Sequence, residues 1–185
     1  MSAPKDETRR ELNRFLAEVE GKAFRIARIV LRHDEDALDA VQDAMLQLAR
    51  RYAARPPQEW RPLFYRILEN RIRDLQRRRM VRNRVMSLLP WRRDENEEAP
   101  DPVADAPDQA PGPADQVEGM GVLAALEGAL ARLPARQREA FLLRNMEGLD
   151  VMQTAAAMGC SDGSVKTHYF RAVQALKEQL GEFWT

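Results

Sequence analysis

The sequence predicts an all-α protein: two small helical domains joined by a flexible, acidic, proline-rich linker, the second domain a helix-turn-helix. Three observations carry that expectation. Ala, Leu, Arg, Gln and Glu dominate the chain, and alternating β-branched runs are missing. Apolar residues recur at three-to-four spacing in two separate blocks. Between the blocks the charge changes abruptly. Residues 1–93 carry 22 Lys and Arg against 13 Asp and Glu, residues 94–120 carry no base and nine acids, and residues 121–185 carry seven of each. The net charge of zero hides a basic front, an acidic connector and a balanced rear. The expected division is a domain over 8–92, a linker over 93–120 and a second domain over 121–185.

In the front block, Ala23, Ile26, Ala27, Val30 and Leu31 give the first helical stripe. His33-Asp34 breaks it, and Asp34 suits the cap of the next helix. That helix runs to about Tyr52, with Leu38, Val41, Met45, Leu48 and Tyr52 at alternating three and four spacing. Arg55-Pro56-Pro57 forces a loop. A third helix is expected to start near Pro62, a residue suited to a first turn. Phe64, Ile67, Leu68, Ile72 and Leu75 form its apolar side.

The linker holds prolines at 100, 102, 107, 111 and 113. Missing backbone donors and like-charge repulsion should keep it extended. It reads as a solvated spacer; the alternative is a mimic of nucleic-acid charge or a mask over the chain's own basic surface. In the rear block, the Ala-rich run Met152 to Met158 makes a short helix of small residues. Gly159 closes it, and the Ser161 hydroxyl can cap the next helix. Val165, Tyr169, Ala172, Val173, Leu176 and Leu180 give that helix one apolar face. Helix, Gly-containing turn and capped second helix is the order of a DNA-binding helix-turn-helix.

Three polar faces carry the functional reading. Ser164, Lys166, Thr167, His168 and Arg171 cluster on the N-terminal half of the last helix, the end that meets base edges and phosphates. On the third helix, Arg66, Asn70, Arg73 and Arg77 share one stripe, broadened by Arg71 and Arg78. Seven arginines stand against one acid between 71 and 84. Such a cluster suits an anionic backbone, because the guanidinium fork matches phosphate. Tyr52, Trp60, Phe64 and Tyr65 lie nearby, and aromatics beside a basic groove can stack unpaired bases; Phe64 sits on the apolar side. The second helix differs, with Asp36, Asp39 and Asp43 in one acidic row beside Glu35 and Gln42. An acidic row should turn away from DNA, and a basic protein partner fits it best.

Other classes find little support. No run of eighteen apolar residues would span a membrane, and the charged N-terminus has no signal-peptide core. One cysteine, Cys160, excludes an internal disulfide, and cytoplasmic residence is expected. Three helical carboxylates without His or a second cluster are a weak metal set. No Gly-rich phosphate loop, His–carboxylate pair or Cys–His pair suggests an enzyme. No cofactor or metal is expected.

Together these residues resemble the extracytoplasmic-function (ECF) sigma factors of the sigma-70 family, bacterial initiation subunits of RNA polymerase. In the front block, the run from Asp36 to Asp43 is similar to the family's polymerase-docking helix. Ile67, Asn70, Asp74, Arg77 and Arg78 match its minus-10 helix. The loop from about Tyr52 to Trp60 resembles the one that captures a flipped promoter base. In the rear block, Leu133 to Phe141 and Glu147-Gly148-Leu149 resemble the lead-in to the minus-35 helix-turn-helix. Gly163 to Thr167 and Arg171-Ala172 match its recognition helix.

The resemblance implies Asp36, Asp39, Gln42 and Asp43 on core RNA polymerase. It implies Arg66, Asn70, Arg71, Arg73, Arg77 and Arg78 on the melted minus-10 strand. Ser164, Lys166, Thr167, His168 and Arg171 would meet the double-stranded minus-35 element. It also implies an anti-sigma partner. The Trp-Leu pair common before the family's minus-10 helix reads Leu63-Phe64 here, Thr154 stands where an aliphatic residue is usual, and His168 where arginine is common. The competing reading is a stand-alone helix-turn-helix regulator.

Overall fold

The computed structural model describes residues 4–87 and 114–181. These residues form seven α-helices and no strand. The expected linker lies outside them as far as residue 113, as do residues 88–92 of the front block.

The front block is built from α1 (Pro4–Leu31), α2 (Asp34–Arg51) and α3 (Pro57–Ser87). Leu12, Leu16, Val19, Ala23, Ile26 and Ala27 run down one side of α1 and are buried. They meet α2 along Ala37, Ala40, Val41, Ala44 and Leu48. Three alanines in that seam let the helix axes approach closely. On α3, Trp60, Phe64, Tyr65, Leu68 and Ile72 close the core. Phe15 of α1 packs against Trp60 and Phe64 with ring centroids 5.9 and 6.3 Å away.

Several local expectations change here. The cap of α2 is His33, one residue earlier than Asp34: extended at φ −153°, its Nδ1 accepts the Asp36 backbone N–H at 3.3 Å. Helix α3 starts at Pro57, because proline at the first helical position loses no intrahelical bond. Pro62 then lies inside the helix, still near its beginning. Leu38 is exposed, whereas Val41 and Leu48 of the same row are buried in the α2 seam with the alanines.

The rear block comprises α4 (Ala114–Arg132), α5 (Ala135–Asn145), α6 (Val151–Met158) and α7 (Asp162–Gln179). Helix α4 begins seven residues inside the range read as linker. Leu130, Leu142, Leu143, Leu149, Val165, Ala172 and Leu176 form the buried centre. Asp150 and Gln153 make a capping box at the start of α6. Thr154 is fully buried, and its hydroxyl donates to the Asp150 carbonyl at 2.6 Å, so no polar group is orphaned there. The two blocks are in contact: α3 lies against α6, and α1 against α4.

Candidate nucleic-acid interface

The helix-turn-helix is set by its caps. Gly159 ends α6 at φ 64°, the left-handed conformation that glycine enters without strain. Ser161 then caps α7, its Oγ accepting the Ser164 backbone N–H at 3.2 Å. Val165, Ala172 and Leu176 anchor α7 in the core. Tyr169 stacks on Phe141 at 6.2 Å, lies under the Arg144 guanidinium and donates its hydroxyl to Asn145 Oδ1.

That anchoring decides which α7 side chains face outward. Lys166, Thr167 and Arg171 are exposed. Ser164 is half-buried and shares a hydroxyl contact of 2.9 Å with Ser161. Thr167 bonds back to the Gly163 carbonyl at 3.0 Å, leaving its methyl group available. His168 is half-buried, with Nδ1 enclosed and without a hydrogen-bond partner. It sits nearer the core than its place in the polar row suggests. Phe170, which the sequence reading left out, is exposed beside Lys166 and Arg171. An outward aromatic on a recognition helix can meet a thymine methyl group. Its offset from the apolar face was the signal that could have found it.

The α3 arginines divide by partner. Arg66, Asn70, Arg77 and Arg78 are exposed. Arg77 pairs with Asp74 at 3.9 Å within its own helix. Arg71 reaches Gln47 at 3.2 Å and Asp43 at 3.9 Å on α2. Arg73 donates to Glu139 of α5 at 2.9 Å. Arg79 ties Asp36 and the Leu31 carbonyl, at 2.5 and 3.1 Å. The aromatics do not form a stacking platform. Trp60, Phe64 and Tyr65 are fully buried, and Trp60 Nε1 donates to the Tyr52 carbonyl at 3.2 Å, pinning the α2–α3 loop. Tyr52 is half-buried.

On α2, Asp39, Gln42 and Asp43 are exposed, whereas Asp36 is drawn into the α3 contact through Arg79. Leu38 and Leu46 are exposed among the acids, at 43% and 51%. The outer face is therefore mixed acidic and apolar. Leu46 falls outside the apolar stripe, which was its sequence signal.

Two carboxylates from the rear block complete the site. Glu147 is buried; it accepts the Tyr65 hydroxyl at 2.6 Å and a hydrogen bond from Arg61. Burial, followed by the Glu147 carboxylate, pushes the Tyr65 hydroxyl far above its ordinary range, so it stays a donor. Glu139 is also buried, between Arg73 and Arg136. Burial raises its pKa, and those two arginines partly offset the rise. Burial raises Glu69 as well, and the Glu139 charge adds to it. Among the described residues no group of three or more His, Cys, Asp or Glu is placed to hold a metal ion, and no helix is long and apolar enough to cross a membrane.

Two family descriptions match the chain: Sigma-70 region 2 over residues 15–82 and Sigma-70 region 4 over residues 123–176. The ECF RNA polymerase sigma factor SigM of Mycobacterium tuberculosis is 33% identical over 162 residues, which is 85% of this chain and 70% of that protein. The RNA polymerase sigma-E factor of Streptomyces avermitilis is 30% identical over 157 residues, 85% of this chain and 78% of that protein. Among solved structures, the sigma factor RpoE of Bartonella quintana, in complex with the anti-sigma factor NepR, superposes with a TM-score of 0.63 at 25% identity, covering 91% of this chain and 96% of that one. Both regions in this order leave the stand-alone regulator without support.

Proposed function

This chain belongs to the extracytoplasmic-function branch of the sigma-70 family, and on that premise we propose that it is an alternative sigma factor, which binds core RNA polymerase, directs it to particular promoters and helps to melt the minus-10 region. One observation carries the reading. A capped recognition helix with an exposed cationic row lies in the same chain as an arginine-rich helix flanked by an acidic, partly apolar face.

Each face then has its task. Asp39, Gln42 and Asp43, with Leu38 and Leu46 between them, dock on core polymerase; Asp36 supports that face from the α2–α3 contact. Arg66, Asn70, Arg71, Arg73, Arg77 and Arg78 hold the backbone of the melted minus-10 strand. Lys166, Thr167 and Arg171 enter the minus-35 major groove, with Phe170 as an apolar contact and Ser164 and His168 closer to the turn. Phosphate contacts set register there and a few base contacts give sequence. Joining two weak DNA contacts in one chain raises the effective concentration of the second once the first has formed. The chain works in the cytoplasm, needs no cofactor and takes an anti-sigma partner, as the Bartonella relative's complex suggests.

The test is transcription from a genomic DNA library with core polymerase, with and without the chain, followed by sequencing of transcript 5′ ends. A set of starts sharing two upstream elements only when the chain is present is expected. No chain-dependent starts would refute the reading.

A further inference from the structure

Glu139 of α5 carries a buried oxygen that its cationic neighbours do not serve. Only 3% of the side chain is exposed. Arg73 of α3 and Arg136 of α5 both donate to Oε2, at 2.9 and 3.2 Å. Oε1 is enclosed and accepts no hydrogen bond. Nearby arginine donors are also committed elsewhere. Arg136 Nη1 donates to the Met158 carbonyl at 2.9 Å, and Arg138 Nη1 to the Ala131 carbonyl at 3.3 Å. A charged carboxylate oxygen left bare in the interior loses its hydration without a replacement.

A second acid stands beside it. Glu69 of α3, its side chain 11% exposed, approaches the same Arg73 Nη2 at 3.9 Å. Two ionised carboxylates gathered at one guanidinium nitrogen repel, and the charge of one disfavours ionisation of the other. An ionised carboxylate only accepts, whereas a protonated one has an O–H to give. A proton on Glu69 thus removes the repulsion and supplies the donor that Glu139 Oε1 lacks. The surrounding charges are mixed. Arg138 of α5 acts on Glu69, and Arg32, after α1, acts on Arg138. Arg66 of α3 lies over the Gly159 turn. Cys160 in that turn lies near Arg136, Glu139 and Asp162, and α6 brings no charged side chain. Burial, with the Glu139 charge behind it, pushes Glu69 up to about 8.

We propose that Glu69 and Glu139 hold one proton between the two blocks, carried by Glu69 and donated to Glu139 Oε1, and that its presence sets how firmly α3 and α5 are joined. With the proton in place, a neutral acid donates to an ion. Without it, two buried carboxylates face each other across the contact. The closed arrangement therefore loses stability as the pH rises from the ordinary carboxylate range through about 8. This proton site depends on the packing of α3 against α5 and not on the task of either helix.

The test is infrared spectroscopy of the full chain, comparing wild type with Glu69→Gln between about pH 6 and about pH 9, where carboxylates of ordinary pKa are ionised throughout. Wild type is expected to show the carbonyl stretch of a neutral carboxylic acid at the lower pH and to lose it with a midpoint of about 8. Glu69→Gln should show no such band. Glutamine offers an N–H donor at every pH in that range. The variant's radius of gyration, from small-angle X-ray scattering, should therefore stay constant where that of wild type grows. Wild type without the neutral-acid band would overturn the proposal. A band that survives Glu69→Gln, or a variant that expands with pH as wild type does, would overturn it as well. Should Glu69→Gln lack a cooperative melt by circular dichroism, Glu139→Gln takes its place. It removes the charge that opposes ionisation of Glu69, so the midpoint of the band should move to lower pH, and an unmoved midpoint would overturn the pairing.

Discussion

Gly159 and Gly163 flank the turn that aims the recognition helix, and the same substitution should act on them with opposite sign. At Gly159 the backbone has φ 64°. An L side chain in that conformation costs about 1–2 kcal/mol. The added Cβ would meet Arg66 Nη2 at 3.7 Å, an ordinary contact, so sterics add nothing to the strain. Gly163 lies within α7, and the nearest atom to its added Cβ is Ser161 Oγ at 3.9 Å. Alanine there removes the glycine entropy cost and stabilises by about 0.5–1 kcal/mol. Gly159→Ala and Gly163→Ala should therefore differ by roughly 2 kcal/mol. Thermal melts followed by circular dichroism resolve this, since a unit of this size shifts by about 4–8 °C per kcal/mol. Gly159→Asn should recover part of the loss, because asparagine tolerates the left-handed region. Melts that move in the same direction for both alanine variants would refute the turn geometry.

Leu142 is fully buried between α5 and its neighbours, so Leu142→Ala should cost about 2–5 kcal/mol, read by urea denaturation; a loss under about 1 kcal/mol would contradict the packing. Closure of the contact between α3 and the rear block should depend on pH. Glu69 of α3 is pushed up to about 8 by burial and then by Glu139, opposed by Arg73 on its own helix and by Arg138 and Arg136 of α5. Arg32, after α1, acts on Arg138 in the same cluster. The closed form thus binds more protons than the open one. Its extra stability is full below the ordinary carboxylate range and is lost as the pH rises through about 8. The radius of gyration should grow on moving from about pH 6 to about pH 9, and a constant or shrinking radius would contradict this. Lys166→Ala should weaken duplex binding across sequences and reduce the salt slope by about 1; an unchanged slope in anisotropy titrations would remove Lys166 from the phosphate contacts.

Features within one helix or one turn were legible in the sequence. Gly159, Ser161 and the spacing of Val165, Ala172 and Leu176 specify the helix-turn-helix through local chemistry. The acidic row of α2 and the arginines of α3 were visible as charge patterns. What the sequence hid depends on packing. Ala37, Ala40 and Ala44 look like neutral helix formers, yet they line the α2 seam together with Val41 and Leu48 while Leu38 is exposed. Trp60 and Tyr65 lie beside arginines in the sequence, but a helix that begins at Pro57 points them into the core. The Arg61–Glu147 and Arg73–Glu139 pairs join residues 86 and 66 positions apart, beyond the reach of any local pattern. His168 reads as polar surface, but one edge of its ring is buried.

The most direct test of the sigma assignment is co-elution with purified core RNA polymerase on a size-exclusion column, comparing wild type with Asp39→Arg plus Asp43→Arg. Both side chains are exposed on α2, so the reversal alters the proposed docking face while leaving the core intact. The account predicts that wild type co-elutes and the folded double variant does not. A folded wild-type chain that fails to co-elute would contradict the sigma role itself, and a double variant that still co-elutes would contradict the assigned face.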